Sequence, residues 1–479
     1  MAFRHGVYKS EVPTSLLSPA QLNGGLPVII GTAPIFMADS SCVNKPVLCY
    51  TYQEAVEALG YSRDWEKWTL CEFIYSQFAL FGVGPCVLIN VFDPGKHKEK
   101  LPLQEFTAQE GVINLGKNVF SQNLEFETGK NYSKNTDYFL EYDELGNLCM
   151  TLAGQLANAS SVKISITRAK TENVTAYDII GGITSDGNAT GLELIGEVYP
   201  KFGLVPGIIG APGFSENPTV AAVMRAKASN INGIFTCISV ADIPCDDSGA
   251  AKYSDVPQWK NRNNYVSTRE IACWPKIKLG DDVYHFSTQL IGLMNSVDFD
   301  NDDIPYASPS NHMLQMNGCV NAAGDEINLG LEQANYLNSQ GIVTALNFAG
   351  GWKAWGNRLG SYPTNTDPKD NFIPVRRMFD FIGNTFILTF WQKLDAPVTV
   401  RLIRTIIDSF NMYLNGLTAR EVILGGRIEF KESENVLTDL MNGDLKFHIY
   451  ITPPVPAEVI EGILEFDPAY LEELFNAMR

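Results

Sequence analysis

Short apolar runs separated by helical patterns open the chain. Pro27-Val28-Ile29-Ile30-Gly31-Thr32-Ala33 and Cys86-Val87-Leu88-Ile89-Asn90-Val91 have the length and branched content of strands buried on both faces. Between them Trp68, Cys71, Ile74, Tyr75 and Phe78 recur at steps of three and four, which predicts a helix over 66–81 ended by Gly82. Strand, helix, strand in that order points to a parallel α/β sheet.

Near Pro94 the pattern changes. Residues 96–175 hold polar alternating segments and turn signals such as Glu144-Leu145-Gly146-Asn147. Val162-Lys163-Ile164-Ser165-Ile166-Thr167 alternates with period two, as a half-exposed antiparallel strand does. The reading is a β-rich insertion at 94–176 that interrupts the α/β part.

The α/β pattern then resumes. A strand is predicted over 204–209, and Asn217 with Pro218 marks the start of a helix running to about Asn230. Strands follow at 234–240 and, after a helix at 331–339 ended by Gly341, at 342–346. From Gly350 onward, helices at 374–390 and 397–415 and alternating strands at 427–431 and 445–451 predict an α+β unit. Pro453, Pro454 and Pro456 break the chain, and a last strand and short helix are expected before Arg479.

The expected layout is therefore an α/β core (23–93 plus 177–349), the insertion (94–176), an α+β C-terminal domain (350–456), and extended arms at 1–22 and 457–479. Val7, Tyr8 and Val12 mark an extended stretch of the first arm, and Ile460, Ile463 and Leu464 the apolar positions of the last. Two readings of the N-terminal arm stand: a frayed terminus, or a strand donated to a neighbour's sheet edge.

Composition narrows the function. At roughly 100–200 residues per domain, 479 residues make about two to four domains. With 36 Lys and Arg against 54 Asp and Glu, the net charge of −18 argues against nucleic-acid binding, which needs clustered cations. Nine cysteines, an odd number with no C-x-x-C pair, suggest reduced buried thiols made in a cytosol. The N-terminus does not have the pattern of a signal peptide, and no apolar run is long enough to span a membrane.

Candidate chemistry is sparse. The five histidines are too scattered for a zinc site, and neither a nucleophile elbow nor a phosphate loop is present, so no cofactor or metal is expected. Asp242 follows a predicted strand, where α/β enzymes place catalytic groups, and is the best single catalytic candidate; a turn carboxylate before Pro244 explains it equally. Asp298, Asp300, Asp302 and Asp303 lack the EF-hand frame and read as a solvated acidic loop. Trp352 and Trp355 suit either a ligand platform or a sealed domain junction.

The order of several blocks resembles the phage tail sheath family. Gly341-Ile342-Val343, then Trp355-Gly356-Asn357-Arg358, then Val375-Arg376-Arg377-Met378-Phe379-Asp380-Phe381-Ile382 form the strongest stretch. Asn357 and Leu359 depart from it, standing where a small residue and a threonine are usual. Leu290-Ile291-Gly292-Leu293, Pro305 through Asn311 with Pro309, the Asp242-Ile243-Pro244 turn, and Asn435 through Glu458 also resemble the family in order. The resemblance covers about 400 residues; the insertion matches nothing specific.

It implies a structural subunit, not an enzyme. Such subunits stack as hexameric rings in a helical polymer around an inner tail tube, capped by baseplate and terminator proteins. Terminal arms add strands to neighbouring subunits, the insertion faces outward and the C-terminal domain faces the tube. The resemblance implies synthesis in a host bacterial cytoplasm and a place in a virion tail or contractile particle, with no nucleic acid or membrane insertion. An α/β hydrolase-like enzyme using Asp242, or a binding module using the insertion, are the alternatives.

Overall fold

The computed structural model describes residues 19–20, 22–38, 42–143 and 146–471. Its centre is a mixed sheet built, in chain order, from β1 (Pro27–Gly31), β2 (Pro46–Cys49), β3 (Cys86–Asn90), β4 (Ile208–Gly210), β5 (Ile238–Asp242), β6 (Glu270–Cys273), β7 (Ile342–Asn347) and β8 (Trp352–Trp355). The spatial order is β2-β3-β1-β4-β5-β6-β7-β8. The six inner strands run parallel, while β2 and β8 close the two edges antiparallel. Every residue of β1, β3 and β5 is buried, and β1 and β3 read accordingly as nearly unbroken apolar runs.

Helices cover the sheet. The 66–81 pattern becomes α1 (Thr69–Ile74), whose last part, Tyr75–Leu80, widens into a π-helix. Pro218–Ser229 forms α2 behind Asn217, whose side-chain oxygen accepts from Thr219 N at 2.9 Å. Phe286–Phe299 forms α3 and Leu331–Asn338 forms α4.

Residues 98–169 hold three small antiparallel sheets around a hydrophobic cluster of their own, including Ile113, Met150, Val162 and Ile164. The single strand expected at 162–167 is two strands, Ser161–Ser165 and Thr167–Ala169. They belong to different sheets, and between them the Ile166 carbonyl accepts from Leu101 N.

Beyond β8 the long helices α5 (Ile373–Phe390) and α6 (Val400–Ala419) pack on the hairpin β9 (Gly425–Glu429) and β10 (His448–Thr452). Met378, Ile382, Phe410, Leu414 and Ile428 centre this second core. Helix α6 starts later than the expected 397 because Thr399 caps it, its hydroxyl accepting from Leu402 N at 3.2 Å. Strand β10 starts at 448 and not 445 because Lys446 gives its N–H and its carbonyl to the Asn435 side chain. The strand expected after Pro456 does not form: residues 457–467 carry no regular element and are exposed. An extended segment needs a partner strand to become one.

Candidate functional site

Asp242 ends β5 at the carboxyl edge of the parallel sheet, and its carboxylate is used up there. Oδ1 accepts from Ser287 N at 2.8 Å, Oδ2 accepts from the Ser287 and Ser215 hydroxyls, and the side chain is buried. These bonds place a negative group on the first turn of α3, where it answers the helix dipole. Of the two readings of Asp242, a catalytic group or a turn carboxylate, these bonds fit the structural one.

His285 precedes α3 and forms an ion pair with Glu72 of α1. Glu72 Oε1 accepts from His285 N at 2.7 Å, and Oε2 lies 2.8 Å from Nδ1. Burial pulls the imidazole down, but the Glu72 carboxylate more than offsets it and raises its pKa from 6.5 to about 9. A raised folded pKa stabilises fully below the ordinary histidine value and loses that contribution as pH rises through the folded one. Stability should therefore drop by on the order of 1–3 kcal/mol between about pH 6 and pH 10. Melting curves of wild type and His285→Gln check this; equal pH slopes in the two proteins would remove the ion pair as the cause.

Arg376 and Arg377 lie side by side on α5 and serve different carboxylates. Arg376 donates to Asp370 at 2.9 Å and to Asp380 at 3.0 Å. Asp380 also accepts from Arg269 at 2.6 and 2.7 Å and from the Thr236 hydroxyl at 2.9 Å, tying α5 to the sheet. Arg377 reaches the other way. It clamps Asp298 through both terminal nitrogens, one at 3.0 Å, and donates to the Gly24 carbonyl at 3.3 Å. Asp298 is 1% exposed in the last turn of α3, so the solvated-loop reading is corrected at this residue; Asp302 is exposed.

Trp355 closes β8 and donates from Nε1 to Asn335 at 2.9 Å. Gly356 follows with φ +139°, a conformation that disfavours a side chain, and a Cβ there would stand 2.8 Å from Asn338 Oδ1 and 3.2 Å from Val343 Cα. Its N–H donates to Ser310 at 3.0 Å, one residue beyond the buried Pro309. Arg358 comes next and lies over the rings of Tyr362 and Phe372. From there it binds the carboxylate of Glu458, a hundred residues away.

Ile460, Ile463 and Leu464 are 90%, 79% and 99% exposed, and Val459 and Phe466 beside them are exposed too. Val7, Tyr8 and Val12 fall outside the described residues. The hairpin upstream presents an open edge. Asn411 of α6 bonds both the N–H and the carbonyl of Ile428, so these groups point away from β10 and the outer side of β9 is covered there. By the alternation of an antiparallel pair, Ile449, opposite Ile428, and Ile451, two residues on, turn their backbone groups outward on the far side of β10. No further strand pairs with that edge among the described residues. Nor do they contain a group of three or more His, Cys, Asp or Glu able to hold a metal.

No protein-family model matches the chain. A tail sheath protein of Burkholderia phage BcepMu is 26% identical over 483 residues, covering 98% of each protein. The chain is similar to this one sheath protein along almost its whole length. Among solved structures, the sheath complex of an extracellular contractile injection system (PVC) in its contracted state matches with a TM-score of 0.59 at 13% identity, covering 98% of each chain. The 6-fold symmetrised baseplate of the anti-feeding prophage matches at 0.57 and 14%, covering 98% of this chain and 100% of that one. At these identities the likeness is one of fold.

Sequence reasoning placed Arg358 and Glu458 in separate motif blocks and did not join them; their opposite charges were the only signal, and nothing local ties position 358 to 458. Glu72 and His285 were missed for the same reason. The open edge of β10 leaves no trace in sequence, because it depends on which strands pair in space.

Proposed function

We propose that this chain is a structural sheath subunit that polymerises as stacked hexameric rings around an inner tail tube and contracts to drive that tube through a target envelope. The observation that carries the reading is an exposed apolar extension and an open strand edge in one chain that is a full-length homologue of a sheath protein. Each half of that pair is unsatisfied alone, and a second copy supplies the other half. An unpaired edge takes an added strand through main-chain hydrogen bonds, each worth about 1 kcal/mol net.

In this reading residues 1–22 and 457–479 are linking arms carrying Val7, Tyr8, Val12, Ile460, Ile463 and Leu464. Residues 23–93 with 177–349 form the core domain, and 94–176, with its separate hydrophobic cluster, is an outward insertion. Residues 350–456 face the tube, where α6 offers Arg401 and Arg404 on its exposed side. Baseplate and terminator proteins cap the two ends. The subunit is made in a host bacterial cytoplasm and works in the tail of a virion or contractile particle.

Negative-stain microscopy of the purified chain tests this: rings or tubes are expected. A protein that stays monomeric at high concentration under every salt condition overturns the reading.

A further inference from the structure

The chain leaves β10 through Pro453, Pro454 and Pro456, whose fixed φ angles keep it stiff. Two residues later Glu458 is held. Arg358 donates from Nε to Glu458 Oε1 at 3.0 Å and from a terminal nitrogen to Oε2. The guanidinium lies 4.6 Å from the ring centre of Tyr362 and 4.0 Å from that of Phe372. Its backbone is fixed independently of the extension, through a bridge to Phe372 and through the Asn357–Ser308 and Gly356–Ser310 hydrogen bonds. Pro456 to Val459 form one wall of a groove of about 570 Å³, with Trp355 and Asn338 among the residues lining it. Past Glu458 nothing comparable holds the chain: Val459 to Phe466 is exposed and without regular structure.

We propose that the Arg358–Glu458 pair is a latch that sets where the linking extension leaves the subunit, so that Arg358 is a positioning residue for assembly and not for subunit stability. This rests on the sheath reading. The two side chains are 15% and 33% exposed, a setting in which an ion pair adds little to folding. A two-pronged contact from a guanidinium already stacked on two rings does fix direction. With the latch closed, only the chain from Val459 onward searches for a neighbour, a reach of roughly 40 Å to Leu471 at about 3.3 Å per residue. With it open, the origin of the search moves back to the prolines and the effective concentration of the extension at its docking site falls.

The test uses the full chain. Glu458→Gln should melt with the wild type as a monomer, while the subunit concentration at which tubes appear rises by roughly tenfold. Arg358→Lys, which keeps the charge but loses the fork and the stacking, should give a smaller rise. The exchanged pair Arg358→Glu with Glu458→Arg should recover part of the loss. Glu458→Gln assembling at the wild-type threshold refutes the latch; so does a melting temperature that falls in step with assembly, because the pair is then an ordinary stability contact. A wild type that never forms tubes overturns the sheath reading itself, which separates the two failures.

Discussion

Arg377→Ala should destabilise the subunit by about 3–5 kcal/mol, the usual cost of stranding one partner of a buried ion pair. The side chains of Arg377 and Asp298 are 3% and 1% exposed, so neither can turn to water once the other is gone. Burial already raises the Asp298 carboxyl above its ordinary pKa, and the Arg377 guanidinium offsets only part of that. Removing the guanidinium leaves an acid that must fold protonated or fold at a cost. The same substitution frees the Gly24 carbonyl, so the entry of the chain into β1 loosens as well. Gly25 beside it has no room for a side chain, since a Cβ would come within 2.5 Å of Asp298 Oδ2. The urea midpoint of the variant measures the effect. A double variant, Arg377→Met with Asp298→Leu, should recover most of the loss, because replacing both charges leaves neither stranded. A change below about 1 kcal/mol in Arg377→Ala would show that the pair does not hold α5 to α3.

This lock also marks how far the sequence could be read. The inner strands β1, β3 and β7 are legible because burial on both faces leaves nearly unbroken apolar runs. Strand β6 is as central but is not legible, because it begins with Glu270. That carboxylate is fully buried against Arg225 at 2.7 Å, and burial pushes its pKa up to about 7 although Arg225 opposes the shift. Edge strand β2 begins with Pro46, a residue tolerated in a strand at an edge, and only its first and last residues are buried. Residues 376 and 377 are recognisable as a motif, yet a motif does not say which carboxylate each arginine takes. Asp298 sits among three other acids that do face solvent to varying degrees, so a local reading assigns it to them and misses the helix that turns it inward.

The extension should matter to assembly and not to folding. Ile460, Ile463 and Leu464 are 90%, 79% and 99% exposed and belong to neither main core. Replacing Ile460, Ile463 and Leu464 together by aspartate should therefore leave the monomer's melting temperature within about 1 °C, since surface changes away from structural contacts stay within about ±0.5 kcal/mol. Polymerisation should disappear. Burying three such side chains against a neighbour is worth about 1.5–3 kcal/mol each, and the new carboxylates would have to be desolvated on an already acidic segment. The loss should exceed that of opening the proposed Arg358 latch, because in the proposed assembly the latch only aims the extension while these residues make the contact. Sedimentation and microscopy on the same samples decide it: tubes that persist in the triple variant would mean that the subunits are linked through another surface, and that the open edge of β10 is filled by a different segment of the neighbouring copy.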